Sequence, residues 1–198
     1  MLQTGPLEQI GSVIRAQHLI MTVSKSQLRH WIKHQPLRLV ADPKVIAAMF
    51  PSVTGCKIGV YDPLPPEVDV WPLIRYWFKY QDVQLYFPEV NHQGFHFHLW
   101  DGGALKQLSD GTRIPTKVHE VIQADELDIC LVPMLGVNHQ GVRLGRGGGN
   151  YDRYVKNSPA FKWGLIHQHQ LVSFVGETHD LVYDQVWQVD VDCPKLIV

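Results

Sequence analysis

The segment VRLGRGGGNYDRY, residues 142–154, gathers the side chains best suited to chemistry in this sequence. Three successive glycines, Gly147, Gly148 and Gly149, accept positive φ and let backbone N–H groups come close to an anion. A helix starting near Asn150 would add the positive end of its dipole. Arg143 and Arg146 flank the glycines with guanidinium groups that meet phosphate oxygens two at a time. Asp152 falls in the first helical turn, where a carboxylate is favoured and where, beside bound phosphates, it would hold Mg2+. The segment reads as a phosphate cradle, and the plainer alternative is a glycine-rich turn between a strand and a helix. It is not a standard phosphate loop: no lysine and hydroxyl follow the last glycine, and the GxGxxG spacing is met only degenerately.

These residues need elements to hold them. An apolar run, DICLVPML, precedes the glycines and another, WGLIHQ, follows the helical stretch NYDRYVKN, so a strand, a loop, a helix and a strand come in order. The runs KIGVYDP, VQLYFPEV and FHFHLW also read as strands. Between the first two, VDVWPLIRYWFKYQ places Val70, Leu73, Ile74, Trp77 and Phe78 on one helical face. Strand–helix–strand units favour a parallel sheet, and the class expected is α/β in a single domain spanning residues 1–198. Near the start, Ser24 is placed to cap a helix through KSQLRHWIKH, on which Lys25 and Arg29, four apart, share a face. This helix is expected to end by Pro36. Asp42 and Pro43 open a second helix, KVIAAMF, stopped by Pro51. Gly5, Pro6 and Gly11 argue against a long helix before these.

Composition narrows the function classes. With 45% hydrophobic and 19% charged residues the chain is of globular type. A formal net charge of -1 provides no broad basic field for nucleic acid or an anionic membrane, so phosphate recognition has to be local. No run approaches the roughly 20 apolar residues that span a bilayer, and MLQTGPLEQI is not a leader of the basic-then-apolar kind. A soluble, unprocessed, cytoplasmic protein is expected. Cys56, Cys130 and Cys193 form no CxxC pair, which points away from a disulfide framework or a thiolate zinc site. His96 with His98 and His167 with His169 have the i, i+2 spacing that puts two imidazoles on one strand face; a half-buried strand with polar residues outward shows the same alternation. His30 and His34 lack an HExxH context and read as a solvated helix face.

The glycine-rich segment, together with Lys25 and Arg29, YDPLPPEVDVWPLI at 61–74, RIP at 113–115 and ETHDLVYD at 177–184, resembles the 5-formyltetrahydrofolate cyclo-ligase family in order and spacing over residues 25–187. The resemblance implies a three-layer α/β sandwich with a mostly parallel sheet, similar in outline to sugar-phosphate isomerases and coenzyme A transferases. It also implies an ATP- and Mg2+-dependent enzyme that closes 5-formyltetrahydrofolate to 5,10-methenyltetrahydrofolate, with a reduced folate as its small-molecule partner, no nucleic acid or membrane partner, and a monomeric state. In the family pattern Gly145, Gly147, Gly148 and Gly149, with Arg143, Asn150 and Tyr151, bind the nucleotide. Lys25, Arg29 and Arg146 are the catalytic cations, Asp152 and Asp180 match the magnesium carboxylates, and Glu67 and Thr112 fall at the folate. The chain departs from the pattern at Asn150, where the family usually has the first of two tyrosines, and at Thr112, where an aromatic usually precedes the IP pair. The region between Arg29 and Lys57 is also shorter. Two other readings stand beside this one: a folate- or nucleotide-binding protein of the same descent that no longer closes the ring, and an isomerase or transferase of the wider fold, whose carboxylate or lysine constellation the sequence does not place.

Overall fold

The computed structural model describes residues 23–35, 42–50, 52–117, 119–190 and 194–198; the expectations resting on Gly5, Pro6, Gly11, Pro36, Pro51 and Cys193 lie outside the described residues. Helix α1 (Lys25–Lys33) starts with a capping box, the Ser24 hydroxyl accepting from Gln27 N–H at 3.2 Å and the Gln27 side chain accepting from Ser24 N–H at 2.9 Å. Helix α2 (Pro43–Met49) opens with Asp42 Oδ1 accepting from Lys44 N–H at 2.8 Å and proline in the first turn.

The central sheet carries strands β1 (Lys57–Gly59), β2 (Gln84–Asn91), β3 (Gly94–Leu99), β6 (Val121–Ile122), β7 (Ile129–Leu131), β10 (Phe161–Ile166), β11 (Gln185–Gln188) and β12 (Lys195–Leu196), in the spatial order β12-β11-β10-β7-β1-β2-β3-β6. The middle is parallel: β1 pairs β2 and β7, and β10 pairs β7 and β11. The flanks are antiparallel, as β2 turns back into β3, β3 meets β6, and β12 closes the other edge on β11. A separate pair, β4 (Leu105–Gln107) and β5 (Arg113–Pro115), carries the RIP segment.

Successive side chains alternate faces, and the core divides accordingly. Ile58, Leu85, Phe87, Ile129, Leu131, Trp163 and Leu165 pack on Ile46 of α2 and on Leu73, Ile74 and Trp77 of α3 (Trp71–Tyr80). Tyr86, Cys130, Val132 and Ile166 point to the other face, against Leu127, Tyr151, Val155 and Leu181. Helix, sheet and the opposite cover make three layers, the α/β architecture expected. Two expectations are corrected. Phe78 is 45% exposed, because the buried arc of α3 ends at Trp77; its ring lies beside Trp100 at 4.9 Å instead. The helix after the glycines, α4, runs only through Asn150–Tyr154, and its C-cap Val155 gives way to a turn. Among the described residues no helix is long and apolar enough to cross a membrane.

The parallel strands β1 and β7 are each three residues long, shorter than the runs KIGVYDP and DICLVPML. Beyond each strand the chain leaves the sheet. Residues 60–69 and 132–149 become loops at the carboxyl ends of adjacent strands, the place where open parallel sheets bind ligands. Within the second loop β8 (Gly136–Val137) and β9 (Arg143–Leu144) form a small hairpin. Its turn is held by Asn138 Oδ1, which accepts from Gln140 and Val142 N–H at 3.0 and 2.9 Å. Strands of two residues are too short to show periodicity, so this hairpin is invisible in the sequence, yet it is what delivers Arg143.

Candidate active site

Arg143 is the pivot. It is 6% exposed; its Nε donates to the Pro133 carbonyl at 2.8 Å and its Nη1 to Asp152 Oδ2 at 3.0 Å, while the guanidinium lies 5.2 Å from the Tyr151 ring centroid. Gly145 must be a glycine because a Cβ there would collide with this guanidinium. Within the glycine run the positive-φ residues are Gly147, at 106°, and Gly149, at 67° and serving as N-cap of α4; Gly148 needs no positive φ. With only five residues, α4 contributes little dipole, so the cradle depends on the loop amides and the cations around it.

On one side of this loop lies a cavity of about 380 Å3 lined by Lys25, Arg29, Arg143, Gly145, Gly147, Gly149, Asp152, Glu177 and Asp180. Helix α1 brings two of its cations, Lys25 and Arg29, here from a distant part of the chain. Arg29 Nε donates to the Gly145 carbonyl at 2.7 Å, and Lys25 Nζ lies 2.7 Å from Asp180 Oδ2 and 2.9 Å from Glu177 Oε1. Burial pulls the Lys25 pKa down, but the hydrogen bonds to Asp180 and Glu177 outweigh it and hold the ammonium above its ordinary value. Burial works the other way on Asp180, where the Lys25 and Glu177 N–H hydrogen bonds prevail and keep the carboxyl below its ordinary value.

On the other side is a cavity of about 220 Å3 with Tyr61, Pro88, Val90, Phe95 and Tyr151 among its walls and Glu67, Asp110, Thr112, Arg146 and Asn150 as polar lining. Glu67 sits on the loop after β1, where Oε2 accepts from Leu64 N–H at 2.9 Å and Oε1 from Arg146 Nε at 2.7 Å. Burial raises the Glu67 pKa, and Arg146 only partly offsets it. Thr112 is tied to Asp110 Oδ1 through its N–H at 3.0 Å and its hydroxyl at 2.6 Å. Arg143 and Gly149 belong to both cavities, and Gly148 faces this one.

Every residue given a role by the family pattern lines one of these two spaces. The sequence reading missed the third acid of the basic cavity, Glu177, although ETHD contains it, and the ring-bearing wall residue Phe95, whose strand gave no hint of a ligand. Tyr61 also lines this cavity, whereas Tyr86 and Phe87 are fully buried elsewhere. As a cation site the donors are hard oxygens, suited to Mg2+, which takes one or two carboxylates and fills its shell with phosphate oxygens and water. Asp180 and Glu177 share an ammonium at the cavity wall and fit that role. Asp152 faces the same space with its oxygens on Arg143 and on Leu181 N–H, the latter at 2.9 Å, just as those of Asp180 are on Lys25 and Glu177 N–H. Among the described residues, this cavity included, no group of three metal-capable side chains occurs; His98 pairs with Glu89 at 2.9 Å, His30 and His34 lie exposed at the end of α1, and Cys130 is a buried thiol pushed up to about 12 by burial.

Known proteins resemble this chain in sequence and in fold. The 5-formyltetrahydrofolate cyclo-ligase of Mycoplasma pneumoniae is 22% identical over 179 residues, covering 88% of this chain and 92% of the relative. That of Haemophilus influenzae is 30% identical over 130 residues, covering 62% and 70%. The NMR structure of Aquifex aeolicus 5,10-methenyltetrahydrofolate synthetase superposes with a TM-score of 0.70 at 25% identity, over 83% of this chain and 89% of that one. The model of the 5-formyltetrahydrofolate cyclo-ligase family matches residues 23–188, the stretch that contains both cavities and the loop between them, and the chain belongs to that family.

Proposed function

We propose that this chain closes 5-formyltetrahydrofolate to 5,10-methenyltetrahydrofolate at the expense of ATP, with the triphosphate in the basic cavity and the pterin against Glu67. The observation that carries this reading is the shared wall: Arg143 and the glycine-rich loop separate a space lined by Lys25, Arg29 and three carboxylates from a more apolar one that holds the buried carboxylate of Glu67. Two substrates laid on either side would meet at the loop, and bringing reactants together in this way is the larger part of phosphoryl-transfer catalysis.

The formyl oxygen on N5 is a poor leaving group. Transfer of the γ-phosphoryl group to that oxygen releases ADP; N10 then attacks the activated carbon, the C–O bond breaks, inorganic phosphate leaves, and N10 loses its proton. In this reading Lys25, Arg29 and the loop amides of Gly145, Gly147, Gly148 and Gly149 hold the phosphates, Arg143 forms the floor, and Arg146 belongs to the catalytic cations. Asn150 and Tyr151 complete the loop wall. Asp180, with Glu177 beside it, would hold Mg2+, which neutralises phosphate charge when bound; Asp152 acts chiefly by fixing Arg143. Glu67 accepts from the adjacent ring N–H and exocyclic amine of the pterin, and Thr112 borders the ring.

The test is the absorbance of the methenyl product when purified protein is mixed with 5-formyltetrahydrofolate and Mg-ATP. Product should form only with nucleotide and metal together. Folate binding without product would leave the non-catalytic binding protein, which Thr112 and Asn150 at the folate cavity favour, as the better description.

A further inference from the structure

Arg146 points the wrong way for a phosphate ligand. It is carried between Gly145 and Gly147, which line the basic cavity, yet its side chain crosses to the other one. There its Nε donates to Glu67 Oε1 at 2.7 Å, and its Nη2 donates to the carbonyls of Leu64 and Pro65. With Leu64 N–H on Oε2, both oxygens of Glu67 are occupied.

Glu67 is 8% exposed, so its charge cannot be left bare when Arg146 departs. Release therefore requires an incoming group with donors of its own. On the reading given under Proposed function, on which this inference rests, that group is the pterin edge, with two adjacent N–H donors for the two oxygens. Pterin and Arg146 compete for one carboxylate. The loop has room to turn at Gly147, whose φ is 106° and where the space around a would-be Cβ is empty to 4 Å, between the carbonyls of Gly145 and Gly148 that accept from Arg29 and Arg153. A guanidinium turned out of the folate cavity has the cavity of Lys25 and Arg29 next to it.

We propose that Arg146 is a substrate-released latch: the folate displaces it from Glu67, and the freed guanidinium moves to the triphosphate, so that folate and nucleotide bind cooperatively. Linkage makes the effect reciprocal, each ligand tightening the other by the same factor.

The experiment is calorimetric titration of the non-hydrolysable β,γ-methylene analogue of ATP with Mg2+, with and without saturating 5-formyltetrahydrofolate. In the unaltered protein the folate should tighten the analogue by about fivefold or more, the lower bound of ordinary coupling. In Arg146→Gln that gain should vanish. In Glu67→Gln, which removes the charge but keeps the shape, the analogue should bind more tightly than to the unaltered protein with no folate present, because the latch is already loose. The proposal is overturned by equal analogue affinity with and without folate in the unaltered protein, by a gain that persists in Arg146→Gln, or by no tightening in Glu67→Gln. Ring closure without coupling would sink the latch alone. Failure of the unaltered protein to bind either ligand would sink the latch and the proposed function together.

Discussion

Asp152 and Asp180 look equivalent in the sequence, one aspartate in each of two motif segments, and their partners separate them. Asp152 neutralises Arg143, and a buried pair that loses one charge leaves the other uncompensated. Asp152→Asn is therefore expected to cost about 3 kcal/mol of stability, read as a lowered urea midpoint. Asp180→Asn, which leaves Lys25 paired with Glu177, should cost less stability and weaken Mg-ATP binding about tenfold, about 1.4 kcal/mol, in calorimetric titration. The opposite pattern, a stable Asp152→Asn that has lost Mg-ATP, would exchange the two roles. At Thr112 the expectation concerns the folate. An added aromatic should contribute stacking of about 0.5 to 1.5 kcal/mol, so Thr112→Trp should tighten 5-formyltetrahydrofolate roughly two- to twelve-fold. Tyr61 and Phe95 already line that cavity. Unchanged or weaker binding by Thr112→Trp, with nucleotide binding intact, would mean that these rings cover the pterin.

Helix α1 shows how an element joins the site. Ile32 anchors it in a small cluster with Leu135 and Leu144, while Lys25 and Arg29 tie it to the 177–180 loop and to Gly145. The Lys25 contacts set a pH window. Asp180 is held below its ordinary value of 3.8, so its contribution to stability is present above that value and is lost as pH falls through the lower folded pKa. Lys25 is held above 10.5, so its contribution is complete below that value and is lost as pH rises through the higher folded pKa. Between these limits Lys25→Met should be less stable than the unaltered protein by about 1 kcal/mol, as expected for a partly exposed ion-pair cluster. The difference should shrink in strong acid and in strong base. A difference independent of pH would make the Lys25 stem, not its charge, the source of the stabilisation. The same substitution should lower ATP-dependent turnover more than folate binding.

At the scale of the molecule, the proposed nucleotide, bound against a loop shared by two cavities, would contribute to global stability. Mg-ATP at a hundredfold its Kd should add about 2.7 kcal/mol, which for a chain of this size raises the melting temperature by about 5 to 10 °C. Chelating the metal should abolish most of that rise; an equal rise with ATP and chelator would remove Mg2+ from the binding step. The sequence by itself determined a good deal of this molecule. Ser24 and Asp42 marked their helices because capping is a local exchange of hydrogen bonds, and alternating apolar runs marked the long strands because burial on a sheet repeats every second residue. The motif segments in matching order carried the resemblance to the family, and that resemblance implied the residues proposed to act in the two cavities, Glu177 excepted. Only the tertiary structure decided what those residues do for one another. That Lys25 meets Asp180 across 155 positions, that Gly145 is required by the Arg143 side chain, and that Arg146 reaches back to Glu67 across 79 are long-range contacts. They arise where loops from separate strands converge at one edge of the sheet, and local patterning carries no record of which distant partner a charged side chain will find.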